Sequence, residues 1–145
     1  MAKSEVALIV GSGPVRGELE TLAQRLGVHE LVVFQPDTSD VALWLNRIDV
    51  FVLPSVEDGS ALVTIWALAA GLPVIATDRS GADLVEEGVN GLVVPPKDAG
   101  AIVSAVQSLL QDNLRRHAMS CALRLCSVQL FGVYRHFRPC LGFAG

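Results

Sequence analysis

DVFVLPSVEDGSALVTIWALAAGLPVIAT, residues 49–77, decides how the whole chain is read. It holds a short unbroken apolar run (VFVL) and a polar turn with Pro54, Asp58 and Gly59. A stretch of helical character from Ala61 to Ala70 follows, closed by Gly71, and then a second apolar run, PVIAT. Unbroken rather than alternating apolarity predicts strands covered on both faces. A strand, a helix and a strand in succession predict a parallel pair with the helix crossing over the sheet.

The same grammar extends outward. Further runs are VALIV at 6–10, LVVF at 31–34 and GLVVP at 91–95. Pro14 suits a first helical position, with Leu19, Leu22, Ala23 and Leu26 forming one face and Gly27 ending the helix. Ser39 or Asp40 stands before ALWLNR, Ser60 before ALVTIWALAA and Asp98 before AGAIVSAVQSLL, each at an N-cap position. The expected fold is therefore α/β: a Rossmann-like parallel sheet with helices on both faces, folding as one globular unit.

Composition narrows the class. With 145 residues, 51% apolar and 18% charged, the chain can bury a core of single-domain size. No apolar run approaches the ~18 residues of a membrane span, and MAKSEVALIVGSGP lacks a signal peptide's h-region, so a cytoplasmic location is expected. Cys121, Cys126 and Cys140 are an odd number without metal-binding spacing, read as free thiols. Residues 1–112 carry all 15 carboxylates against six Lys and Arg, whereas residues 113–145 carry five Arg and no acid. A nucleic-acid footprint needs basic residues clustered on the folded body, where acids outnumber them here, so that class of partner is discounted.

In parallel sheets, ligands bind where loops leave the carboxyl ends of the strands. Three loops qualify: GSGP at 11–14, PSVEDGSA at 54–61 and TDRSGAD at 77–83. GSGPVRG fails the dinucleotide fingerprint, because Arg16 takes the third glycine position and LVVFQ ends without a ribose-holding acid. VEDGSALV is the better candidate. There the unpaired N–H groups of Ala61, Leu62 and Val63 can face a phosphate, with Asp58 at the rim able to accept from ligand hydroxyls.

Four linked stretches, VGSGPVRGELETLAQRLGV, DVFVLPS, EDGSALVTIWALAAGLPVIATD and LVEEGVNGLVVPPKD, resemble the C-terminal, nucleotide-sugar-binding half of a group 1 (family 4) GT-B glycosyltransferase. The resemblance runs from residue 6 to about 118. It implies a single half of a GT-B fold, with a nucleotide-diphosphate sugar as substrate, no cofactor and no metal. It further implies a retaining transfer in the cleft with an N-terminal half that binds the acceptor. Residue by residue, it places Asp58 on the transferred sugar. It places Gly59, Ser60, Ala61, Leu62 and Val63 at the diphosphate, and Gly11, Gly13, Ser80 and Gly81 in the loops lining the cleft.

Trp66 stands where the family's second Glu holds the ribose hydroxyls. The indole is expected to pack with Leu62, Ile65 and Ala69 or to occlude the site in part. The family's cationic pair before the first strand is absent, leaving Arg79 and Lys97 as sources of positive charge near the sheet edge. Residues 1–118 are expected to form the donor-binding domain, and residues 119–145 a helix and an irregular apolar tail capable of self-association. The chain reads as a truncated or degenerate donor half, inactive in transfer by itself; the alternative is a non-catalytic Rossmann-like association module.

Overall fold

The computed structural model describes residues 5–57, 61–79 and 81–120. Chain contacts divide the protein into two compact units, Met1–Val41 and Ala42–Gly145, where composition predicted one. Each is described by itself.

In the first unit, β1 (Ala7–Val10) leads through the GSGP loop into α1 (Arg16–Arg25), then through a 3-10 turn (His29–Leu31) into β2 (Val32–Gln35). The strands pair in parallel, Ala7 with Val32 through Val10 with Gln35. Gly27, at φ 67°, closes α1: its N–H donates to Gln24 O (3.0 Å), and Val28 N–H donates to Ala23 O (3.0 Å). That pair of bonds satisfies helix-end carbonyls and requires the left-handed conformation that glycine adopts without steric cost. Two expectations need correction here. Of the apolar row on α1 only Ala23 is buried, while Leu19, Leu22 and Leu26 are exposed. β1 is likewise mostly exposed. Within this unit the sheet has two strands, about 5 Å apart, too narrow a face to cover a ten-residue helix.

The second unit is a three-stranded parallel sheet in the order β3 (Phe51–Leu53), β4 (Val74–Thr77), β5 (Gly91–Val94). It is preceded by α2 (Val41–Leu45), which starts in the last residue of the first unit. The crossover between β3 and β4 contains α3 (Ala61–Ala69), and α4 (Ala99–Gln111) follows β5. Gly71, at φ 77°, ends α3 by the same motif as Gly27, with N–H groups of Gly71 and Leu72 on the carbonyls of Leu68 and Ala67.

β4 is the central strand and is buried along its whole length, as its unbroken apolarity predicts. On one face Ile75 packs with Leu92, Val94, Ala105, Leu109 and Met119. The other face carries Val74 and Ala76, also fully buried, and α3 packs on β4 through contacts outside that cluster. Asp98 caps α4 as expected, its Oδ1 accepting from Ala101 N–H at 2.9 Å, a bond worth about 1 kcal/mol. Residues 113–120 are helical again. Met119, 2% exposed, belongs to the core of this unit, although it opens the stretch expected to be a separate tail. Residues 121–145, with all three cysteines, lie outside the described residues. Among the described residues no helix is long and apolar enough to cross a membrane.

Candidate functional site

The register of the second sheet brings the loops after β3 and β4 side by side, since Leu53 and Ala76 are paired neighbours at the strand ends. Thr77 then ties the loops together: its hydroxyl donates to the carbonyl of Ser55. Beyond this tie a cavity of about 460 Å³ opens, lined by Val56 and Glu57 from the first loop and by Asp78, Arg79, Gly81, Ala82 and Asp83 from the second. It sits at the carboxyl ends of the strands, where a parallel sheet offers its loops to a ligand.

Three carboxylates and one guanidinium face this space. Arg79 Nε lies 3.6 Å from Asp78 Oδ1, with both side chains exposed. Such a pair contributes little to stability but neutralises its own charge locally. Neither Glu57 nor Asp83 makes an ion pair among the described residues.

Behind the cavity wall lies Thr64, one turn into α3 and fully buried, its hydroxyl without a hydrogen-bond partner. A Cβ added to Gly81 would stand 3.0 Å from that oxygen. A buried hydroxyl left unpaired costs about 1–3 kcal/mol. Thr64→Val, which keeps the shape and removes the hydroxyl, is therefore expected to leave stability unchanged or raise it by up to about 1 kcal/mol in urea unfolding. A clear loss would show that the hydroxyl has a partner after all.

The expected site residues fall into three groups. Asp58, Gly59, Ser60 and Ser80 lie outside the described residues. Ala61, Leu62 and Val63 form the first turn of α3, and Gly81 lines the cavity, as does Arg79. Lys97, at φ 60°, is exposed in the loop before α4 and is not part of the cavity lining. Gly11 and Gly13 belong to the first unit. Their loop is held by bonds of its own: Ser12 N–H donates to Asp37 Oδ1 at 2.8 Å, and Gly11 N–H to Gln35 O at 3.0 Å. Arg16, the residue that breaks the dinucleotide fingerprint, is paired with Glu20 at 2.8 Å and reaches the carbonyls of Gly11 and Phe34 at 3.4 and 3.3 Å.

Trp66 is 39% exposed, one turn from exposed Leu62. The indole thus lies on the exposed side of α3, the side that also carries Leu62. The buried side of α3 is made of Thr64, Ala67 and Ala70, small residues that bring the helix close to β4 and leave no room for an indole there. Asp78 and Asp83 were not singled out from the sequence. The signal available was their place in the loop after β4, but a single loop acid is usually just solvated, and only the cavity distinguishes these two.

Residues 2–112 match the family described as glycosyl transferases group 1. The chain is 38% identical over 126 residues to the GDP-mannose-dependent alpha-(1-6)-phosphatidylinositol monomannoside mannosyltransferase of Mycolicibacterium smegmatis, covering 80% of this chain and 33% of that protein. Among solved structures it is similar to the sucrose-phosphate synthase of Thermosynechococcus elongatus, with 32% identity and a TM-score of 0.74 over 86% of this chain and 34% of the other. It also matches Anabaena HepE in complex with UDP and glucose at a TM-score of 0.78, covering 86% and 36%; at 24% identity this likeness speaks to the fold alone. The chain spans between 12% and 34% of the length of curated relatives it matches. By motif order, parallel topology and family match, the chain belongs to the group 1 glycosyl transferases and has the fold of one Rossmann-like half of a GT-B enzyme.

Proposed function

We propose that this chain binds the nucleoside-diphosphate sugar donor of a retaining glycosyl transfer. The observation that carries the reading is the cavity at the carboxyl ends of β3 and β4, beside the loop that leads into α3, in a chain of this family. The unpaired N–H groups of Ala61, Leu62 and Val63, with Gly59 and Ser60 ahead of them, hold the diphosphate. Asp58 accepts from hydroxyls of the transferred sugar, and Ser80 and Gly81 allow close backbone approach. Trp66 occupies the ribose-holding position. The dependence of the mycobacterial relative on GDP-mannose supports a nucleotide sugar as ligand. Binding requires no metal ion, and transfer requires an acceptor-binding partner half, because two substrates must be held in reacting geometry.

Calorimetric titration of the purified chain with UDP, GDP, ADP and their hexose conjugates, with and without EDTA, tests this. Saturable binding of one base class is expected, with Kd on the order of 0.1–1 mM and unaffected by the chelator. No binding of any of them overturns the reading. The alternative, a non-catalytic association module, is favoured by one observation, the exposed row Leu19, Leu22 and Leu26 on α1. It predicts self-association with no nucleotide binding.

A further inference from the structure

Helix α1 carries a surface that donor binding does not use. Val15, Leu19, Leu22 and Leu26 follow one another at intervals of four, three and four residues, and all of them are exposed. Val15 and Leu26 flank the helix, yet both keep helical backbone and stay in its hydrogen-bond ladder: Leu19 N–H donates to Val15 O and Leu26 N–H to Leu22 O, each at 3.0 Å. That spacing is the a/d seam of a coiled coil, with Leu19 and Leu26 at a and Val15 and Leu22 at d. Such a seam fits a second helix bearing the same row.

Charge says which helix. Glu18 and Arg25 each stand one residue before an a position, on the same flank of the seam, and both line a groove of about 510 Å³ together with Leu19 and Leu22. Neither makes an ion pair among the described residues, whereas their neighbours Arg16 and Glu20 pair with each other at 2.8 Å. Flanking positions of this kind meet across the seam when two helices run antiparallel, and their charges set partner and orientation. In that register Val15 faces Leu26 of the second copy, and Leu19 faces its Leu22. Two-fold symmetry repeats both contacts, and it sets Glu18 beside Arg25 of the second copy twice. A parallel pair would instead set Glu18 beside Ala23, which is uncharged and buried.

We infer that α1 is a self-complementary docking surface whose occupant is α1 of a second copy of this chain, antiparallel about a two-fold axis level with Glu20 and Thr21. Two helices of this length bury less than the ~1,200 Å² of a stable complex, so the dimer is weak, with Kd on the order of 0.1 mM. The pairing is independent of donor binding, which the nucleotide titration decides.

Sedimentation equilibrium of the full chain at low ionic strength, from about 10 μM to about 1 mM, brackets that affinity and tests the pairing. A monomer–dimer equilibrium is expected, weakened at least about tenfold by Leu19→Glu with Leu22→Glu, because both side chains leave the seam in each copy. Exposure of both positions should keep the melting temperature of this variant near that of the parent. Glu18→Arg places like charges together at both ends and should weaken the dimer several-fold. Adding Arg25→Glu to it should restore the parent's affinity to within about twofold, as for a direct pair in a double-mutant cycle. A chain that stays monomeric throughout overturns the inference and leaves the row to a different occupant. A dimer unmoved by the two leucine changes overturns it too, and assigns association to another surface, residues 121–145 included. A double charge swap as weak as the single one overturns the antiparallel register, and this arm stands even if the leucine variant does not fold.

Discussion

Gly91→Ala is expected to destabilise the second unit by about 3 kcal/mol or more, the largest effect of any single methyl group we anticipate. Gly91 opens β5 and pairs with Val74 on the central strand. A Cβ at this position would stand 2.1 Å from the carbonyl oxygen of Val74 and 2.9 Å from Cγ1 of Val85. The Val85 methyl can rotate away, but the carbonyl belongs to a strand buried along its whole length and paired on both sides. Relief therefore requires β4 and β5 to separate, which would disturb the packing of Ile75 against Leu92 and Val94. Urea unfolding of Gly91→Ala measures the loss directly. Gly17→Ala serves as a control, because it lies in α1 with nothing within 4 Å of an added Cβ and should gain up to about 1 kcal/mol in helix propensity. An unchanged midpoint for Gly91→Ala would show that β4 and β5 do not approach in this way.

Trp66→Glu is expected to tighten binding of UDP or GDP by roughly tenfold or more while changing stability by less than about 1 kcal/mol. The indole has one donor and no acceptor, whereas a carboxylate can accept from both ribose hydroxyls. Hydrogen bonds to a charged group contribute about 1.5–3 kcal/mol each, so recovery of even one gives a factor of ten. At 39% exposure, position 66 keeps a new carboxylate in contact with water, so little desolvation cost opposes the gain. The same exposure means that loss of the indole leaves no large cavity. Nucleotide titration and thermal melting of this one variant give both numbers. A stable variant without tighter binding would remove Trp66 from the ribose-holding position.

How much was legible in the sequence depended on the range of the interaction. Gly27 and Gly71 were readable as helix ends, and Asp98 as a cap, because each acts within four residues of itself. β4 was readable as a buried strand because its composition shows burial on both faces. The helical row Leu19, Leu22 and Leu26 was equally legible, yet it is exposed: periodicity shows that a helix has an apolar side, not whether anything covers it. Trp66 shows the same limit. Helical spacing put it among apolar neighbours, and only packing showed that Thr64, Ala67 and Ala70 are the residues turned toward the sheet side.

By itself, the sequence determined the strand and helix order, the parallel α/β class and the family, since local hydrogen bonding, apolar runs and motif order are written along the chain. Only the tertiary structure decided that Glu57, Asp78, Arg79 and Asp83 share one cavity, that Thr64 keeps an unpaired hydroxyl behind Gly81, and that Met119 completes a core. Those facts depend on strand register and helix packing, which join residues well separated along the chain, and no local pattern encodes which distant partners will meet.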